Sequence, residues 1–201
     1  MLEGPLVFVD IDTQRDFLEP TGALYVPGSE LIVSNLRRLT QFALSHHVPI
    51  LATACAHSFD DAELSRFPPH CMIGTPGQER IAATAPESSV VLAIGKRHTG
   101  ALPPHLTLLK RELDVFSRPD ADELIARYNQ DRPTFVVYGV ATDYCVSAAA
   151  TGLLARGCRL AIVVDAIRAI DPAVEGDLLG DFARRGVLLT LTEIVCRDPP
   201  A

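Results

Sequence analysis

The chain alternates strand-length apolar runs with amphipathic helix patterns from one end to the other. The runs are LVFVDI (6–11), PILATAC (49–55), VVLAI (90–94), LTLLK (106–110), TFVVYG (134–139), RLAIVVD (159–165) and VLLTL (187–191). Between them fall helix-period segments. One is capped by Ser29 and runs to about residue 46, with Leu31, Ile32, Leu36, Leu39 and Phe42 on one side. Others cover about 120–128, the residues after Cys145, and about 173–185. Strands that are apolar throughout, separated by helices, must be covered on both faces. That pattern predicts an α/β fold: three layers, α/β/α, around a mostly parallel central sheet. The 201 residues, 48% of them hydrophobic, suit a single domain over 1–201 with a sizeable core.

The composition narrows the function by exclusion. The net charge is −7, the arginines are dispersed and no basic run occurs, which argues against a nucleic-acid partner. The apolar runs are far too short to span a membrane, and the first residues do not read as a signal peptide. The five cysteines are odd in number and scattered, which argues for a reducing compartment, read as the cytoplasm. The expected partner is a small molecule, and a homo-oligomer is left open.

In a parallel sheet ligands bind beyond the carboxyl ends of the strands. Three polar groups fall there: Asp12, Lys110 and Cys145. Only two lysines exist, Lys96 and Lys110, and one stands at a strand end. Cys145 lies where a strand turns into a helix, in GVATDYCV (139–146). The helix dipole would favour its thiolate there, and free N–H groups could hold an oxyanion. Asp12 could move the thiol proton, and Lys110 could hold Asp12 in place. Each residue also has an ordinary reading: an inert buried thiol, a turn cap, a solvated edge lysine. The loop 58–77, with Pro68, Pro69 and Pro76, is long enough to be functional.

Five segments together resemble one family. DTQRDF (12–17) fits D-x-Q-x-D-F. PTGALYVPGSE (20–30) and VVDAIRA (163–169) fit two further family segments. PPHCMIGTPGQE (68–79) resembles P-x-H-C-x-x-G-T-P-G-x-E, and GVATDYCV fits the nucleophile motif. The chain is therefore similar to the nicotinamidase branch of the isochorismatase-like cysteine hydrolases. The resemblance implies Cys145 as nucleophile and Asp12 as acid/base. KRELDVF (110–116) fits the context of the family lysine, so Lys110 takes that role and Lys96 is a solvated turn residue. It further implies a cis peptide bond at Val140–Ala141, with the N–H groups of Ala141 and Cys145 forming the oxyanion hole. The implied reaction hydrolyses a small amide, nicotinamide to nicotinate and ammonia, through a thioester and within NAD salvage. Another small amide or carbamoyl substrate on the same triad is the alternative.

The resemblance also implies a metal site, with a departure. The family's D-x-H at the second strand end is here Cys55, Ala56 and His57, and His70 is the third ligand position. Cys55 and His57, two apart on a strand, share a face. A Cys/His/His set favours zinc over magnesium or manganese. The ordinary reading is a decayed site. Phe17, with Phe59 or Phe67, would supply ring contacts to the substrate. Asp16 reads as a turn stabiliser and Asp143 as a helix N-cap. Cys71, Cys158 and Cys196 read as packing residues.

Overall fold

The computed structural model describes Leu2 and residues 4–197. Seven strands form one sheet: β1 (Leu6–Ile11), β2 (Ile50–Cys55), β3 (Val90–Leu92), β4 (His105–Lys110), β5 (Thr134–Val140), β6 (Arg159–Arg168) and β7 (Leu188–Thr190). Their order is β3-β4-β2-β1-β5-β6-β7, and every pairing is parallel. The expected three-layer α/β arrangement is thus present, with a sheet that is parallel throughout.

The alternation of β1 side chains explains the layers. Val7, Val9 and Ile11 belong to one apolar core, with residues of α3 (Ala121–Tyr128), α4 (Ser147–Ala155) and α5 (Pro172–Arg184). Leu6 and Phe8 belong to the other, with Leu36, Leu39 and Phe42 of α2 (Val33–Ser45) and Val195 of α6 (Thr192–Val195). The remaining short helix, α1 (Arg15–Leu18), follows β1 directly. Among the described residues, no helix is long and apolar enough to cross a membrane.

Some elements differ from the sequence reading. The runs 90–94 and 187–191 shorten to three-residue edge strands, because Val90, Val91, Leu188 and Leu189 have a partner strand on one side only and stay partly exposed. Strand β6 is longer than its apolar run, and its register against β5 shifts between Val137 and Gly139. Ser29 does not cap α2. It lies inside a 3-10 turn, Ser29–Ile32, and its hydroxyl donates to the Phe17 carbonyl at 2.9 Å. That turn rotates Leu31 off the buried face, leaving it 70% exposed.

At the end of β5 the chain runs against β1. Gly139 has φ of +117°, and a Cβ there would sit 2.1 Å from the Ile11 carbonyl oxygen. Only glycine fits so close a backbone approach, one residue before Asp12.

Candidate active site

Asp12 follows β1, Lys110 ends β4, and Cys145 lies past β5, so the three converge at the carboxyl edge of the sheet as the strand order requires. Asp12 takes a left-handed backbone, φ of +49°, as the chain leaves β1. Its Oδ1 accepts from Thr53 Oγ1 at 2.6 Å, and its Oδ2 lies 2.9 Å from Lys110 Nζ. Both side chains are buried. Lys110 also donates to Cys145 Sγ at 3.4 Å, Cys55 Sγ at 3.2 Å and the Glu112 carbonyl at 3.1 Å. Lys96 is exposed in a turn, as expected.

Burial alone would depress the Lys110 ammonium. The Asp12 carboxylate outweighs it and holds its pKa well above the usual lysine value. Cys145 behaves unlike the sequence expectation of a thiol acidified by a helix dipole. Its hydrogen bond with Cys55 and its burial push its pKa well up, against the pull of Lys110. The local structure gives the reason: the residue sits in a wide π-helical turn, Thr142–Val146, ahead of α4, and is only 6% exposed. The thiol therefore rests protonated. For Cys55 the hydrogen bond with Cys145 favours the thiolate, but burial and the Asp12 charge outweigh it and raise its pKa too.

The Val140–Ala141 peptide bond is cis, as the resemblance implied. Asp143 is not a helix N-cap. Its carboxylate accepts from the main-chain N–H groups of Ile170 and Asp171, both at 3.0 Å, because the π-helical turn aims it at the end of β6. Asp16 does stabilise its turn, accepting from Ala23 N, and it also reaches the loop at Cys71 N, 2.6 Å away.

The sulfur of Cys55 and a ring nitrogen from each of His57 and His70 lie within 4.8 Å of one another. His57 Nδ1 is held by Asp61 Oδ2 at 3.1 Å, and His70 Nδ1 by the Pro68 carbonyl at 2.8 Å. Such outer partners fix the orientation of metal-ligating histidines. His57 Nε2 is buried with no hydrogen-bond partner. An orphaned imidazole nitrogen beside a thiol and a second histidine fits a soft divalent cation. Burial depresses both histidine pKa values, which keeps the rings neutral and able to coordinate. Gln14 clamps the same strand end, with Nε2 on the Cys55 carbonyl at 2.8 Å and Oε1 on its N–H at 2.7 Å. Asp12, Cys55 and Cys145 form a second close group. There the Lys110 ammonium already stands among the donor atoms, so a cation would meet like charge.

A narrow apolar pocket opens onto Cys145 and Ala141, with about 20 Å³ of free space, about the room one water needs. Phe17, Phe67, His70 and Tyr144 give it ring surfaces, and Glu63 is its one carboxylate. The Phe17 and His70 rings are 5.4 Å apart, and Phe67 meets Tyr144 edge-on at 5.4 Å. Phe59 is 86% exposed and takes no part, since its loop turns it to solvent. Sequence reasoning missed Glu63, Tyr144, Thr53, Gln14 and Asp61. Only Asp61, four residues past His57, carried a local signal. Cys71 and Cys158 are buried and Cys196 half-buried, in keeping with packing roles, and all five cysteines are free.

No curated protein matches the chain by sequence. Among solved structures, nicotinamidase/pyrazinamidase from Bacillus subtilis superposes with a TM-score of 0.78 at 21% identity, over 92% of this chain and 99% of that one. N-carbamoylsarcosine amidase from Thermoplasma acidophilum gives 0.75 at 24%, over 94% and 97%. Pyrazinamidase of Pyrococcus horikoshii in complex with zinc gives 0.76 at 24%, over 92% and 98%. The isochorismatase domain matches residues 6–193, nearly the whole described chain, and the protein belongs to that family.

Proposed function

We propose that the protein is a cysteine-dependent amidohydrolase of a small neutral aromatic amide, with nicotinamide the leading substrate. The observation that carries this reading is the buried cluster in which one ammonium meets both a carboxylate, at 2.9 Å, and a thiol, at 3.4 Å, beside the pocket. Because Cys145 rests as a thiol, its attack needs a base, and Asp12 is the carboxylate in the cluster. Asp12 takes the proton as Cys145 Sγ bonds to the amide carbon. The oxyanion faces the N–H groups of Ala141 and Cys145. Asp12 returns the proton to the departing ammonia. Water, deprotonated by Asp12, then attacks the thioester carbon, the C–S bond breaks to release the acid, and Asp12 returns the proton to the Cys145 sulfur. Lys110 holds Asp12 in position and balances its charge.

Cys55, His57 and His70 would hold the metal, zinc by ligand softness. When bound, it supplies an electron-pair acceptor beside the pocket for a heterocyclic nitrogen. Phe17, Phe67 and Tyr144 pack the ring.

Among the solved structures of this fold is an amidase named for a carbamoyl amino acid. The pocket favours the neutral amide over such a substrate. Its lining holds no arginine to receive a carboxylate, and Glu63 would repel one. The five free cysteines support a reducing compartment, the cytoplasm, and a place in NAD salvage follows from the substrate. The test is ammonia release over nicotinamide, pyrazinamide and small carbamoyl acids. The reading predicts turnover of the first two. Turnover of carbamoyl acids alone overturns it.

A further inference from the structure

Two sulfurs share one ammonium. Lys110 Nζ lies 3.2 Å from Cys55 Sγ and 3.4 Å from Cys145 Sγ. The two sulfurs and an Asp12 carboxylate oxygen lie within 4.8 Å of one another. A disulfide needs about 2 Å between sulfurs, so side-chain rotations have about 3 Å at most to close. Neither role assigned above asks the thiols to be neighbours: hydrolysis uses Cys145, and a metal would use Cys55.

The other cysteines are placed differently. The Cys71 sulfur donates to the Gly77 carbonyl at 3.9 Å, and that of Cys196 to the Arg38 carbonyl at 4.0 Å. Cys158 packs in the core beneath α4. Cys145 lines the pocket, so a small solute can reach it, whereas Cys55 does not.

We propose that Cys145 and Cys55 form a redox modification site, in which a peroxide oxidises Cys145 and Cys55 resolves the product to a reversible disulfide. Cys145 gives its proton to Asp12, and its sulfur attacks one peroxide oxygen. The O–O bond breaks, the S–O bond of a sulfenic acid forms, and the departing oxygen takes the proton as water or an alcohol. The Cys55 sulfur then attacks the Cys145 sulfur. The S–O bond breaks, the S–S bond forms, and water leaves with the Cys55 proton. Two thiols are oxidised and one peroxide is reduced. The disulfide keeps the nucleophile off the irreversible sulfinic rung. It also withdraws Cys55 from the histidines, so nucleophile and metal ligand are lost and regained together. This rests on the geometry of the two thiols, not on the substrate proposed above.

The test reads mass rather than turnover. Reduced protein, treated with a chelator to free Cys55 of any metal, is titrated with hydrogen peroxide under native conditions and then alkylated. The expected product lacks two hydrogens, retains three alkylatable cysteines, yields a Cys55–Cys145 linked peptide, and reverts fully with a thiol reductant. Cys55→Ser should stop at a Cys145 sulfenic acid captured by dimedone and become unrecoverable in excess peroxide. The peptide map of the unsubstituted chain decides the matter without that variant. Oxidised Cys145 with Cys55 still alkylatable, or Cys145 linked to Cys71, overturns the proposal.

Discussion

Replacing Lys110 with methionine keeps the apolar stem and removes one charge. That charge is 2.9 Å from an Asp12 carboxylate that is itself sealed from solvent. At this distance the attraction is about 6 kcal/mol for an effective dielectric of about 20. Desolvation of both ions offsets part of it, and stripping one partner from a buried pair costs about 3–5 kcal/mol. The Thr53 hydroxyl stays on Oδ1 but carries no charge. We therefore expect Lys110→Met to lower unfolding stability by about 3–5 kcal/mol, read as a fall in the urea midpoint at unchanged slope. Asp12→Asn combined with Lys110→Met leaves no lone buried charge, so the double variant should regain about 2 kcal/mol or more of coupling energy. Activity should behave oppositely. Lys110→Met should lose about 100- to 10,000-fold in kcat/KM, and the double variant should recover none of it. A double variant no more stable than Lys110→Met would refute the buried-pair argument. Retention of activity within tenfold by Lys110→Met would refute the role given to the lysine.

Cys145→Ala should abolish ammonia release with an unchanged urea midpoint, since alanine cannot form a thioester. Lys96→Ala, in an exposed turn, should leave the rate alone. Asp61→Asn should weaken zinc binding about 10- to 100-fold in a competitive chelator titration, because it frees the far nitrogen of His57. Cys55→Asp should move metal preference toward manganese, measured by the same titration with each ion. Burial depresses the His57 and His70 pKa values, so the native state resists protonation that the unfolded chain accepts near its ordinary histidine pKa. Their contribution to stability is therefore full above about pH 6.5 and is lost as pH falls below it. Urea midpoints at pH 7.5 and 5.5 should differ, and His57→Asn should narrow the gap.

The sheet was legible because seven apolar runs left little else to do with that much buried surface, and the ends of β1, β4 and β5 placed Asp12, Lys110 and Cys145 together. The edges were misjudged because apolar letters in 90–94 and 187–191 do not reveal that a strand has a neighbour on one side only. Ser29 and Asp143 are good N-cap residues on propensity, yet each spends its side chain on a distant segment, which propensity cannot see. The protonated state of Cys145 was hidden for a related reason. It depends on Cys55, ninety residues earlier in sequence, and on a π-helical turn where a simple helix start was expected. Thr53, Gln14 and Tyr144 came into view only once β2 and the turn after β5 were set beside β1.

Strand β1 has consequences for how the molecule comes to exist. It is the first strand made, and its neighbours are β2 on one side and β5 on the other, Leu6 pairing with Thr134 and Ile11 with Gly139. A parallel pairing of such sequence separation closes a very long loop before any contact rewards it. A nascent chain that has emerged only through β4 already carries Asp12, Lys110, Cys55, His57 and His70, but β1 presents a bare edge and the nucleophile Cys145 has not been made. The half-made protein is thus chemically silent and offers unpaired backbone to other chains. Docking of β5 covers the β1 edge and delivers Cys145 in one event, so capacity for chemistry should arrive one strand before β6 covers the edge that β5 exposes in turn.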